Sequence, residues 1–171
     1  MIILVSGKAG VGKTTFSNML VEEFQKQNRN AEVKSFAYYV KQIAKHMFSW
    51  DGNKDANGRK LLQFIGEKGR EITPIFWAKL LATDLNTYSI FIIDDWRYKN
   101  EFLYLNNLFD VVRIRIEAKD REILAGTSEY SHQSEVDLDG FNFNYIYYNS
   151  GDIQQLRTFA KSIAAELTKN L

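Results

Sequence analysis

The sequence predicts an α/β layer fold, and three observations carry that expectation. Short β-rich runs alternate with stretches of helical periodicity along the chain. Residues 89–94, Ser-Ile-Phe-Ile-Ile-Asp, form a near-continuous apolar run, the pattern of a strand buried on both faces. A glycine-rich turn at residues 7–12 stands directly between a strand and a helix.

Residues 2–6, Ile-Ile-Leu-Val-Ser, form the first strand and are ended by glycines. Helical spacing follows near 13–28, where Phe16, Leu20 and Phe24 recur one turn apart. Residues 31–36 read as a second strand and 38–48 as a second helix. The segment D-G-N-K-D-A-N-G at 51–58 is turn chemistry, and 59–70 is an amphipathic helix. The single proline, Pro74, follows Thr73, a pairing that predicts the cap and first turn of a helix running to about residue 86. The weak boundaries between 37 and 88 predict fewer than four helices there. After the strand at 89–94 come a helix near 98–108, a strand at 111–116, a polar irregular stretch at 117–133, a strand at 145–148 and a helix at 152–170.

The 171 residues suit one compact domain with a real core. Lys plus Arg number 22 against 21 Asp plus Glu, so no global field points to nucleic acid or to a membrane surface, and any anion site must be a local cluster. The absence of cysteine excludes disulfides, thiol catalysis and cysteine-ligated zinc. The apolar run at the N-terminus is too short for a signal peptide, and no stretch approaches the ~20 apolar residues of a membrane span. The expected location is the cytoplasm; a homodimer is allowed.

The chemistry starts at residues 7–14. Gly7-Lys8-Ala9-Gly10-Val11-Gly12-Lys13-Thr14 is a complete G-x-x-x-x-G-K-[ST] phosphate loop, and it has the strand before it and the helix after it that the motif requires. Its glycines let the backbone turn N–H groups onto a phosphate, and the helix aims its positive end at the same anion. Gly7, Ala9, Gly10, Val11, Gly12, Lys13, Thr14 and Thr15 are therefore the expected ATP-binding residues. Lys13 would reach the β- and γ-phosphates, and Thr14 would complete a Mg²⁺ shell. The strand at 89–94 runs into Asp94-Asp95, where a P-loop fold places an acid for the metal or the acceptor. Arg97, two residues after Asp95, can present positive charge to the transferred phosphoryl group. Arg59, Gln63 and Arg70 share one helix face that Gly66 leaves uncluttered, a plausible seat for a phosphate and a base edge. His132 has no metal-ligand spacing around it, Ser134 to Asp137 read as a helix cap, and Arg113 and Arg115 read as the polar face of a strand.

Taken together, these pieces resemble the bacteriophage-type deoxynucleoside monophosphate kinases of the P-loop nucleoside monophosphate kinase-like group. The resemblance rests on G-K-A-G-V-G-K-T-T at 7–15, G-R-K-L-L-Q-F-I-G at 58–66, Arg70 with Trp77, D-W-R-Y-K-N-E at 95–101, S-H-Q-S-E-V-D-L-D at 131–139 and Asn149-Ser150-Gly151. It implies a three-layer P-loop kinase fold with a parallel five-stranded sheet. The core would be residues 1–36 and 89–171, with a helical acceptor-binding insertion at 37–88 and a short lid at about 117–133. It implies ATP and Mg²⁺ as cofactors, a small nucleotide as the substrate, and phosphorylation of a (deoxy)nucleoside monophosphate to the diphosphate. By the same resemblance Lys41, Arg59, Gln63, Arg70, Trp77, Asp95 and Arg97 face the acceptor, and Asn149 and Gly151 lie near the donor adenine. Lys13, Asp95, Arg97 and Arg121 then act at the reaction centre, with Thr14 and Asp94 on the metal. Only Arg121 supplies an arginine between 117 and 133. The S-H-Q-S-E element is also similar to animal-type phosphomevalonate kinases, so another small phosphorylated acceptor stays open. A nucleotide-switch protein is the rival of a different class, and the chain lacks the N-K-x-D element that reads guanine.

Overall fold

The computed structural model describes residues 1–118 and 133–169. Five strands form one sheet in the order β2-β3-β1-β4-β5, and every neighbouring pair is parallel. They are β1 (Ile2–Ser6), β2 (Ala31–Lys34), β3 (Ile90–Ile93), β4 (Val111–Glu117) and β5 (Tyr145–Tyr148). The helices are α1 (Lys13–Lys26), α2 (Ala37–Phe48), α3 (Ala56–Ile72), α4 (Phe76–Ala82), α5 (Lys99–Asn106), α6 (Gln133–Val136) and α7 (Ile153–Thr168).

The apolar strands follow from this layering. All five residues of β1 and all four of β3 are buried, because helices cover both faces of the sheet. Along β1 the side chains alternate. Ile3 and Val5 join Phe16, Leu20 and Phe24 of α1 and Leu156, Ala160 and Ile163 of α7 in one core. Ile2 and Leu4 join Val40, Ile65, Trp77, Leu81 and Phe102 in the other. The residue 37–88 excursion thus packs its apolar side on the sheet and contains three helices, as the weak boundaries implied.

Two local expectations change. The helix after Pro74 begins at Phe76 and ends at Ala82, with Ile75 at its N-cap, and Thr73 is the C-cap of α3. Turn residues after Ala82 stop α4 about four residues early: the backbone N–H groups of Thr83, Asp84 and Leu85 bond back to Leu80, Leu81 and Ala82 in a tight turn. No helix among the described residues is long and apolar enough to cross a membrane. The central part of the 117–133 stretch, with Arg121 and His132, lies outside the described residues.

Candidate active site

The phosphate loop occupies the carboxyl end of β1. Gly12 is the N-cap of α1 with φ 101°, and a Cβ there would lie 2.8 Å from Asn149 Nδ2. At Gly7, φ is 151° and a Cβ would lie 2.3 Å from the Ile116 carbonyl oxygen, so glycine is needed for conformation and for space. Val11 is fully buried and pins the middle of the loop to the core. From β5's far end, Asn149 Nδ2 donates to the Val11 carbonyl at 2.9 Å, and Asn149 Oδ1 accepts from the Gly151 N–H at 2.9 Å. Asn149, expected beside the donor base, therefore clamps the phosphate loop itself.

Lys13 bends back over this loop, its ammonium donating to the carbonyls of Gly7 and Lys8, each at 2.8 Å. Burial, and then the nearby Arg97, lower its pKa to about 8. Thr14 Oγ1 donates to Asp94 Oδ2 at 2.7 Å, which joins the start of α1 to the end of β3. Burial raises the Asp94 pKa, and the Thr14 hydrogen bond works against that rise. Thr15 is exposed one residue further along α1.

Asp95 has a different job from the one its motif suggested. Its Oδ1 accepts the Phe36 N–H at 2.9 Å, and its Oδ2 accepts Ser35 Oγ at 2.8 Å and the Ala37 N–H at 2.9 Å. Both oxygens are engaged in capping the start of α2, so the carboxylate positions that helix. Lys41, one turn into α2, contributes positive charge felt at Asp94.

Arg97 stands in the short β3–α5 connection. Its backbone N–H and that of Tyr98 both donate to Glu101 Oε2 at 3.1 Å. Its Nη1 pairs with the Glu135 carboxylate and reaches the Ser134 carbonyl at 3.3 Å. Glu135 Oε2 also accepts the Ala9 N–H at 3.3 Å, and its carbonyl accepts Lys8 Nζ. Lys8 continues to Asp139 at 3.1 Å; Arg115 meets Asp139 at 3.0 Å and Ser6 Oγ at 3.1 Å. Lys8, Arg115, Glu135 and Asp139 form a network that sequence reading missed. The register offered one signal: Arg115 pairs with Ser6, the last residue before the loop, so this charge had to sit at the loop's edge.

On α3, Arg59 and Gln63 are exposed, and Arg59 Nε donates to the Lys54 carbonyl at 3.0 Å. The Arg70 guanidinium folds back across Gly66 and lies 4.7 Å from the Tyr98 ring centroid, which brings it to the corner that carries Arg97. Eleven residues of helix separate Arg59 from Arg70 by about 16 Å along the axis. Trp77 corrects the sequence reading more sharply. It is buried, its Nε1 donates to the Gly66 carbonyl at 2.8 Å, and its ring fills the space that Gly69 leaves by having no Cβ. The indole is core between α3 and α4 and offers no face for stacking.

No family model matches the chain. It is 27% identical to the uncharacterized protein ORF76 of Ictalurid herpesvirus 1 over 172 aligned residues, covering 98% of this chain and 68% of that one. Among solved structures, thymidylate kinase from Ehrlichia chaffeensis is similar at TM-score 0.54 and 18% identity, covering 95% of this chain and 97% of that one. The APS kinase of Mycobacterium tuberculosis bound to AMPPNP and APS is similar at TM-score 0.53 and 10% identity, with 98% and 95% covered. Shikimate kinase from Bacteroides thetaiotaomicron is similar at TM-score 0.52 and 15% identity, with 98% of each chain covered. The five parallel strands and their two helical layers are the α/β fold of the P-loop kinases.

Proposed function

We propose that this chain is an ATP-dependent phosphotransferase whose acceptor is a nucleoside monophosphate, most simply a deoxynucleotide. The observation that carries the proposal is the meeting of four groups at the carboxyl ends of β1 and β3: Lys13, Arg97 and the Thr14–Asp94 pair at 2.7 Å. The N–H groups from Gly10 to Thr15 would cradle the β- and γ-phosphates of ATP at the start of α1. Lys13 would exchange the Gly7 and Lys8 carbonyls for phosphate oxygens, and Arg97 would neutralise charge on the group in flight. Arg121 is proposed for the same task from its place in the sequence. An acceptor phosphate oxygen attacks the γ-phosphorus as the bond to the β–γ bridging oxygen breaks, and ADP leaves. A phosphate nucleophile needs no strong base, which agrees with Asp95 serving as a cap.

Thr14 and Asp94 fit a magnesium ion brought by the nucleotide. They are hard oxygen donors already within contact of each other, and no cluster of three or more metal-binding side chains exists among the described residues. Mg²⁺ is usually held this way, by one or two protein oxygens plus substrate phosphates and water. When bound it would supply positive charge that offsets the charge of the nucleotide's phosphates.

The nucleotide acceptor rests on α3. Arg70, near the Arg97 corner, would take the acceptor phosphate, and Gln63 and Arg59 would reach the nucleoside end further along the same face. Exposed Tyr38 and Phe64 keep aromatic surface on α2 and α3. The burial of Trp77 favours a second reading, a non-nucleotide phosphorylated acceptor such as phosphomevalonate, because it takes one expected aromatic ring away from the acceptor. A panel decides between them. ATP-dependent ADP release is expected with at least one of dTMP, dGMP, dCMP or 5-substituted dCMP, and little with phosphomevalonate. Arg70→Ala should then raise the acceptor KM and spare ATP, with a loss on the order of 1.5–3 kcal/mol for one charge-assisted hydrogen bond. Activity confined to the non-nucleotide acceptor would refute the nucleotide claim.

A further inference from the structure

A carboxylate beside a phosphate site needs a reason, since its charge opposes the ligand. Glu135 is such a group: its side chain is only 4% exposed, and it touches both the Arg97 guanidinium and the Ala9 N–H of the phosphate loop. The segment that carries it is fastened on every side of Arg97. Asp137 Oδ2 accepts the Lys99 N–H at 2.8 Å, two residues past Arg97, and Asp139 takes Lys8 and Arg115. Glu101 holds the backbone of the same connection from behind.

We propose that Glu135 is the positioning residue for Arg97, its carboxylate tying the guanidinium to the phosphate loop so that the arginine and the loop present one fixed cradle to the transferred phosphoryl group. This rests on the phosphotransfer reading above. An arginine on a loop loses rotamer freedom when a ligand freezes it, and a carboxylate that holds it beforehand removes that penalty from the reaction. Both oxygens are needed, one for each donor. Glutamine has a single acceptor oxygen, and its amide hydrogens would face those of the guanidinium or the Ala9 N–H. Aspartate keeps both oxygens one methylene short of the span.

The experiment compares wild type with Glu135→Gln, Glu135→Asp, Arg97→Ala and the Arg97→Ala/Glu135→Gln double variant. Three quantities are read: kcat and KM with the best acceptor of the panel, the Kd for Mg·AMPPNP, and the affinity for ADP with aluminium fluoride relative to ADP alone. Glu135→Gln should lower kcat roughly 10- to 100-fold, the scale of a misplaced positioning group, while Kd for Mg·AMPPNP stays within about threefold. It should also erase most of the aluminium fluoride preference. Glu135→Asp should recover part of both losses, and Glu135→Gln should cost nothing further once Arg97 is alanine. Unchanged kcat and analogue preference, or losses that multiply in the double variant, would overturn the proposal. So would tighter Mg·AMPPNP binding in Glu135→Gln, which would make Glu135 a competitor for the phosphate seat. If wild type phosphorylates no acceptor, the acceptor reading fails on that result alone, and the aluminium fluoride comparison still decides the role of Glu135.

Discussion

Glu101 sits behind the Arg97 connection with only 5% of its surface exposed, and both N–H groups that it accepts belong to that connection. Burial raises its pKa from 4.5 to about 8, against the lowering effect of the Arg97 backbone hydrogen bond. The sign follows directly. Between pH 4.5 and about 8 the folded chain keeps a proton that the unfolded chain has lost, so this group makes stability fall as pH rises through that window. At about 1.36 kcal/mol per pH unit, the full swing is no more than about 5 kcal/mol. Glu101→Gln keeps an oxygen for both N–H groups and cannot ionise. It should match wild type at pH 4.5, exceed it progressively up to pH 8, and flatten this part of the pH profile. Urea unfolding followed by tryptophan fluorescence at pH 5, 6.5 and 8 measures the difference, with Trp96 buried beside the site as reporter. Parallel profiles for the two proteins would refute the assignment of a neutral, buried acid. The consequence for the site is that near neutral pH Glu101 holds the Arg97 connection through hydrogen bonds and adds no charge of its own.

Lys13→Ala should fold normally and lose turnover by orders of magnitude in an ADP-release assay, because in the proposed reaction its ammonium would follow the migrating phosphoryl group. Since Lys13 titrates near 8 and only the charged form serves phosphate, ATP affinity of the wild type should weaken as pH rises through 8, a trend that isothermal titration can follow and that Lys13→Ala should lack. Trp77→Ala should cost about 3–5 kcal/mol of stability through the cavity between α3 and α4, seen as a lower urea midpoint. Its acceptor KM at a temperature where it stays folded should be near that of wild type. A raised KM with unchanged stability would return the indole to the binding site.

What the sequence made legible was local. The phosphate loop, the acid at the end of β3 and the arginine two residues later are each set by neighbours within one turn of chain. Gly7, Gly12 and Thr14 stand where the motif put them because a strand, a tight left-handed turn and a helix N-terminus leave the backbone few alternatives. β1 and β3 were equally readable, since burial on both faces writes an unbroken apolar run. Trp77 was misread for a physical reason. Its value in the fold lies in an absence at Gly69, and its hydrogen-bond partner is a helix carbonyl eleven residues back, neither of which a motif can express.

The ionic network was hidden by distance along the chain. Lys8 and Glu135 are 127 residues apart, Arg97 and Glu135 are 38 apart, and Ser6 and Arg115 are 109 apart. Each looked like ordinary surface chemistry where it stood: a lysine in a loop, a glutamate in a helix cap, an arginine on the polar face of a strand. Sheet order converts them into a site. Because β1 lies between β3 and β4, the carboxyl ends of all three strands open on one point, so the residue after β1, the connection after β3 and the edge of β4 must share it. Four cationic side chains are thereby gathered, Lys8 and Arg115 buried and Lys13 and Arg97 partly so, a charge balance that would be costly without anions. Glu135 and Asp139 supply part of that balance within the protein. The rest of the field is what an incoming phosphate chain would meet, and the split between the two is what substitution of Glu135 measures.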